Sequence, residues 1–241
     1  MPHRYFCENL TPSASAVNLT GEEAKHLAVV MRAKAGDALT LCDGHGNDYA
    51  ATVQTVSDGA VFLAINSCAP SVSEPTKRVI LYVGYPKLDK LETIIQKATE
   101  LGAVQIVPFF SRYCVVTPKK EEAKNERYNR IAKEAAKQSG RGIIPTVAMP
   151  LTYKQMLAEA AKADVALFCY EAGGDALLSR LSDGTTIAII TGSEGGFSAE
   201  EAQLATEAGC VQIGLGPRIL RCETAPLAAL TAVMTLTGNL Q

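Results

Sequence analysis

The chain has 241 residues, 47% of them hydrophobic, and carries 23 Lys and Arg against 25 Asp and Glu for a formal net charge of −2. That length accommodates one large or two modest domains around a real core. No apolar run approaches the ~18 residues of a membrane-spanning helix, Met1–Phe6 lacks a signal peptide's apolar stretch, and seven cysteines without a Cys-x-x-Cys pair argue against a disulfide framework or a zinc site.

A cytoplasmic location, with no membrane contact and no metal, is the resulting expectation. Charge is distributed unevenly: residues 1–73 carry −3, 74–150 carry +6 and 151–241 carry −5. A phosphate backbone answers to local potential, so the basic middle leaves RNA open as a partner despite the acidic average.

In chain order, Arg4 to Glu8 reads as a short strand, and Thr20-Gly21-Glu22-Glu23 as a capping-box start for a helix through about Met31. Strands follow at Leu39–Cys42, Tyr49–Val56 and Val61–Ile65, separated by turns at Asp43–Asn47 and Ser57-Asp58-Gly59. Ser67 to Pro75 breaks every periodicity and reads as a linker. From Arg78 onward strands and helices alternate. Val79–Val83 is a strand, Leu88 to Leu101 an amphipathic helix, Val104–Phe109 a strand, and Lys120 to Gln138 a long charged helix. A helix from Leu151 to Ala163, a strand from Val165 to Tyr170, and two strand–loop–helix units complete the chain. Such alternation specifies a parallel sheet covered on both faces. It lacks a Gly-x-Gly-x-x-Gly after its first strand and a Gly-Lys-Ser/Thr loop, which excludes the common nucleotide folds.

The last two units carry the functional signal. Ile187–Ile190 opens into Thr191-Gly192-Ser193-Glu194-Gly195-Gly196-Phe197-Ser198, and Val211–Gly214 into Leu215-Gly216-Pro217-Arg218-Ile219-Leu220-Arg221-Cys222-Glu223-Thr224-Ala225. Glycine-bearing loops at the carboxyl ends of parallel strands form the usual ligand crevice of an open α/β sheet. Read plainly, the first could be a tight turn capped by Ser198 to Glu201, and the second an ion pair near a helix start. Arg218, Arg221 and Glu223 nevertheless stand in a small-residue, apolar segment, where charge needs a partner, a ligand or solvent. Cys222 reads as packing, with no His near it in sequence to activate it.

These two loops, together with Ile95–Gly102, Glu134–Arg141, His26-Leu27 running to Arg32, Lys34-Ala35-Gly36-Asp37 and Asp43-Gly44, resemble the RsmE family of ribosomal RNA methyltransferases, in the SPOUT superfamily. The likeness spans Arg4 to the C-terminal helix. It departs at two points, since the family carries proline where this chain has Ser193 and a residue such as threonine where it has Cys222. Without the proline ring, φ at 193 is not fixed.

The resemblance implies an α/β, trefoil-knotted methyltransferase domain over 78–241, after a linker at 71–77 and a β-barrel-like PUA-type domain over 1–70. It implies S-adenosylmethionine held by Thr191, Gly192, Glu194, Gly195, Gly196, Leu215, Gly216, Ile219, Leu220 and Thr224. Arg221 then stabilises the anion of a uridine attacking through N3, and Glu223 either orients Arg221 or acts as base. Arg4, His26, Arg32, Lys34, Arg112 and Arg141 are the implied RNA contacts. The implied substrate is 16S ribosomal RNA, within the small subunit, and the implied assembly a homodimer. A different RNA target, or a non-catalytic RNA-binding assembly factor, is the alternative. Most of the basic helix to Arg141 equally suits a solvated face with i,i+4 partners, and His26 equally suits a satisfied boundary histidine.

Overall fold

The computed structural model describes residues 4–7, 10–57, 59–116, 121–171 and 184–240. The expected strand end at Glu8, the turn residue Asp58 and the helix start at Lys119-Lys120 lie outside the described residues. Two compact units emerge: residues 1–74 with 136–144, and residues 75–135 with 145–241. The sequence reading put a single break at 71–77. The structure instead returns the tail of the long helix to the first unit.

The first unit is a five-stranded sheet in the order β1-β3-β4-β5-β2: β1 (Arg4–Phe6), β2 (Ala16–Thr20), β3 (Ala38–Cys42), β4 (Asn47–Ser57) and β5 (Ala60–Pro70). Only β1 and β3 run parallel. Tyr5, Leu19, Leu41, Tyr49, Val61 and Leu63 fill its core. Two expectations are corrected here. β5 continues through Pro70, pairing Ser67–Pro70 with Asn47–Ala50, so half of the expected linker is strand; proline is tolerated because it closes the strand. The expected capping box does not form either. Thr20 makes no side-chain cap, Gly21 sits at φ +68°, and the Glu23 carboxylate takes the Lys137 ammonium at 2.7 Å instead. Helix α1 (Gly21–Lys25) passes directly into a π-turn over His26–Val30. Strand β2 went unread because only Leu19 of its five side chains is buried, too few for alternation to be visible.

The second unit holds seven parallel strands in the order β12-β10-β11-β6-β7-β8, with β9 also on β7. They are β6 (Arg78–Gly84), β7 (Gln105–Phe110), β8 (Thr146–Val147), β9 (Leu151–Thr152), β10 (Val165–Cys169), β11 (Thr186–Thr191) and β12 (Val211–Ile213). The helices are α2 (Lys90–Glu100), α3 (Glu121–Ser139), α4 (Tyr153–Ala160), α5 (Ala199–Glu207) and α6 (Ala225–Leu236). Successive strand residues face opposite ways. Val79, Leu81, Ile187 and Ile189 pack with α2 and α6, while Tyr82, Ala188, Ile190 and Phe168 pack with α4 and α5. Both faces are therefore covered, as near-continuous apolar strands require. Helix α4 starts two residues later than expected, because Thr152 and Gln155 close a reciprocal cap and Leu151-Thr152 is drawn into the sheet. Among the described residues no helix is long and apolar enough to cross a membrane.

The strand order changes one expectation about the site. Strands β11 and β12, which feed the two glycine loops, are not neighbours; β10 lies between them.

Candidate active site

The first loop leaves β11 as a tight turn in which the Gly196 N–H donates to the Ser193 carbonyl at 3.0 Å. Backbone packs directly on backbone around it. A Cβ on Gly84, at the end of β6, would stand 2.3 Å from the Ser193 nitrogen, and one on Gly192 would stand 3.0 Å from the Gly196 Cα. Gly195 is closed off by Tyr113, whose Cβ would lie 2.6 Å away. Thr191 is fully buried, and its hydroxyl donates to the Tyr82 carbonyl at 3.4 Å. Beyond the turn, Phe197 stacks with its ring centroid 4.3 Å from Phe168 and 6.2 Å from Phe109. Ser198 and Glu201 then form the reciprocal cap of α5. Glu194 stands exposed at the tip.

The second loop is open. Gly216 has φ +90° with nothing within 4 Å of where a Cβ would stand, and Ile219 is 88% exposed. Leu215 and Leu220 are half-buried, whereas Arg218, Arg221 and Thr224 are exposed. Arg218 and Arg221 have no side-chain partner among the described residues, so both guanidiniums are available to an anion. The loop closes when the Thr224 and Ala225 N–H groups donate to the Arg221 carbonyl at 2.8 and 2.9 Å. Pro226 is the second residue of α6, and Glu223 immediately precedes the cap residue Thr224.

A residue that the sequence motifs do not single out joins the loops. Lys90 Nζ lies 3.0 Å from Glu194 Oε1 in the first loop and 3.3 Å from Glu223 Oε2 in the second. The Lys87 N–H adds a bond to Glu194 Oε1 at 3.1 Å. These contacts raise the Lys90 ammonium's pKa above its ordinary value, with Glu194 the largest cause. The Glu194 carboxyl is lowered even though partial burial opposes ionisation, because backbone N–H groups and Lys90 hold it charged. The Glu223 carboxyl is lowered first by the Cys222 thiol, which donates to it at 3.2 Å, then by its own backbone N–H and Lys90. Glu223 thus faces Lys90 rather than Arg221, which corrects the expectation that it orients that side chain directly. Cys222 is buried, and burial pushes its thiol up to about 12, so it is no thiolate nucleophile. A cation on the first residue of a helix opposes the macrodipole, and this was the sequence signal that could have singled out Lys90.

An RNA methyltransferase domain family matches residues 73–234 and an RNA methyltransferase PUA domain family matches residues 19–66. Ribosomal RNA small subunit methyltransferase E of Bacillus subtilis is 38% identical over 95% of each chain. The Synechocystis protein of the same name is 34% identical over 92% of this chain and 74% of its own. The crystal structure of ribosomal RNA small subunit methyltransferase E from Neisseria gonorrhoeae, bound to S-adenosyl methionine, superposes with a TM-score of 0.86 at 29% identity over 98% of each chain. The chain belongs to the RsmE family of RNA methyltransferases.

S-adenosylmethionine is the cofactor bound in the RsmE-family crystal structure, and the residues present here fit it. Ser193 Oγ is buried and has no hydrogen-bond partner among the described residues, a state that buried hydroxyls rarely keep. Gly196 and Gly216, both at positive φ, leave open space where side chains would stand. The exposed Ile219 beside half-buried Leu215 and Leu220 offers an apolar surface to a flat ring system.

The six candidate RNA contacts of this RsmE-family chain fall into three groups. His26, Arg32 and Lys34 are exposed in the first unit; Arg32 ends the π-turn at φ +53°, and His26 Nδ1 lies 3.2 Å from the Tyr5 hydroxyl. Arg4 and Arg112 are engaged but reachable. Arg4 holds Asp48 and Ser71, while Arg112 pairs with Glu200 at the surface and its N–H donates to the buried Glu201 at 2.8 Å. Arg141 is the correction. The sequence reading presents its guanidinium on an exposed turn, yet its side chain is only 3% exposed and forks onto Glu74 through Nε at 2.9 Å and Nη2 at 2.7 Å. Glu74 also accepts the Gly142 and Ile143 N–H groups, at 2.7 and 3.0 Å. Burial without such a pair would leave an uncompensated charge, so the turn closes around Glu74.

Proposed function

We propose that the chain methylates N3 of a specific uridine in 16S ribosomal RNA, with S-adenosylmethionine as donor. The observation that carries this reading is the meeting of two glycine loops at one lysine, with Arg221 unpaired and exposed beside them. The names of the relatives supply the substrate class, and this geometry supplies a place for donor and acceptor.

In this reading Thr191, Gly192, Glu194, Gly195 and Gly196 of the first loop and Leu215, Gly216, Ile219, Leu220 and Thr224 of the second hold the donor. When bound, the donor supplies an electrophilic methyl group on a sulfonium, so the protein contributes orientation and exclusion of water more than covalent chemistry. Arg221 faces the acceptor base and stabilises the uridylate anion that forms as the N3 proton passes to solvent water, since a permanent cation cannot itself serve as the base. Glu223, held ionised and pinned by Lys90, is a weak proton acceptor. It acts by fixing the loop that carries Arg221.

His26, Arg32 and Lys34 of the first unit grip the RNA backbone, and Arg4 and Arg112 contribute by exchanging a carboxylate partner, Asp48 or Glu200, for a phosphate. The working form is a cytoplasmic homodimer acting on the small ribosomal subunit, and the threading of residues 214–240 follows the family's trefoil knot. The test is incubation of the protein with labelled donor and small subunits from a strain lacking the activity, followed by mass spectrometry of the RNA. One methyl group on N3 of a single 16S uridine is the expected result. Label confined to another RNA, or no transfer by a protein that binds donor, overturns the reading.

A further inference from the structure

The two loops have no hydrogen bond or ion pair directly between them among the described residues, and the strands that feed them are separated by β10. Everything polar that joins them passes through the start of α2. Lys90 Nζ reaches Glu194 at 3.0 Å on one side, and Glu223 at 3.3 Å with the Cys222 sulfur at 3.6 Å on the other. The Lys87 N–H makes a second bond to Glu194. The Lys90 side chain is 29% exposed, so this is a partly dehydrated cluster and not a solvated surface pair. Nor is the lysine there for its own helix. An ammonium at the first position of α2 meets the positive end of the helix dipole and is held there by carboxylates from two distant parts of the chain.

We propose that Lys90 is a positioning residue for the methyl donor, an ammonium latch that sets the first and second loops in register so that both can contact one ligand. This rests on the reading that these loops hold S-adenosylmethionine. The packed first loop is the fixed jaw. Its backbone is buttressed by Gly84 and Tyr113, whereas the second loop leaves Gly216 and Ile219 open. Only the second loop has freedom to lose when the latch forms, so the latch acts on donor affinity by ordering it before the ligand arrives. A bridging role also predicts coupling. Glu223 matters to the donor through Lys90, so removing its carboxylate should have no further effect once the ammonium is gone.

The experiment is calorimetric titration of S-adenosylmethionine, without RNA, into the full chain and its variants, with thermal unfolding recorded for each. Lys90→Met is expected to weaken donor binding by about fivefold, the scale of a partly exposed ion-pair cluster, with little change in Tm. Lys90→Arg should restore most of the loss. Glu223→Gln is expected to weaken binding in the natural chain but not in the Lys90→Met background. Equal affinity of the natural chain and Lys90→Met overturns the proposal. So does an equal cost of Glu223→Gln in both backgrounds, which would mark Lys90 as an ordinary surface charge. Should Lys90→Met unfold, Lys90→Gln paired with Glu223→Gln carries the same cycle. Gly216→Val separates this inference from the reading beneath it. If that bulk leaves donor binding intact, the loops do not hold the donor; if it abolishes binding while Lys90→Met leaves affinity equal to that of the natural chain, the latch alone fails.

Discussion

The two glycine loops look alike in sequence, each an apolar strand opening into glycines and charges, and they are built by opposite means. In the first, the glycines let backbone touch backbone: Gly84 against Ser193, Gly192 against Gly196, Gly195 against Tyr113. Removal of the Cβ here is a packing requirement, and the loop's shape is settled before any ligand arrives. In the second, Gly216 has no neighbour at all, and its value lies in its φ of +90°, which other residues adopt at a cost. Arg218, Ile219 and Arg221 of this loop stand exposed, open to a ligand or partner for their contacts. One loop is a rigid template and the other an adaptable flap, and the single lysine between them is where the difference is reconciled.

The contrast can be broken by mutation. The largest effect belongs to the open loop's chemistry. Arg221→Ala should reduce single-turnover methylation of ribosomal RNA by on the order of 10² to 10³, the usual loss when one donor to a developing anion is removed, while donor affinity measured by calorimetry stays near that of the natural chain. Near-normal turnover would take Arg221 out of the reaction. Next comes Gly84→Ala, whose methyl group meets an immovable backbone nitrogen at 2.3 Å. Overpacking of this kind costs about 1–3 kcal/mol, read from urea unfolding, and should carry donor affinity down with it. Gly216→Ala is expected to cost only about 1 kcal/mol, for the left-handed backbone alone, with no collision to relieve. If the two alanines prove equally damaging, the template-and-flap distinction fails.

The smallest effect is a dependence on pH. The Glu194 and Glu223 carboxyls titrate below their ordinary value in the folded protein, so their contribution is complete above the ordinary carboxylate pKa of about 4.3 and is lost as pH falls through the lowered values. Lys90 titrates above its ordinary value, so its contribution is complete below about 10.4 and is lost only as pH rises through the raised value. Cys222 stays protonated across this window, its thiol standing at about 12. Donor affinity should therefore be flat from about pH 5 to about pH 10 and weaken in acid. The acid limb should disappear in a Glu194→Gln, Glu223→Gln double variant.

Much of this molecule was legible before its structure. Strands β6, β10 and β11 fall within a residue of their expected bounds, because strands buried on both faces must be apolar throughout. The errors have specific causes. Strand β2 buries a single side chain, too little to write a pattern. Glu23 was assigned to a local cap and instead pairs with Lys137, more than a hundred residues away. Arg141 follows a helix-ending glycine, a position that suits an exposed guanidinium, and is buried because Glu74 reaches it from elsewhere in the chain.

What the sequence determined by itself is the alternation of strands and helices, the two ligand-type loops and the residues able to carry anion chemistry. These depend on local periodicity, on glycine's conformational range and on the fixed charge of arginine, all of which are properties of short segments. Tertiary structure alone decided which charges are spent on each other. Lys90, Glu194 and Glu223 lie far apart along the chain, and only the tertiary fold brings the Lys90 ammonium to 3.0 and 3.3 Å from the two carboxylates, a separation at which Coulomb attraction is felt even near the surface. No local pattern encodes that meeting, since the cost and gain of a charge depend on who its neighbours are in space.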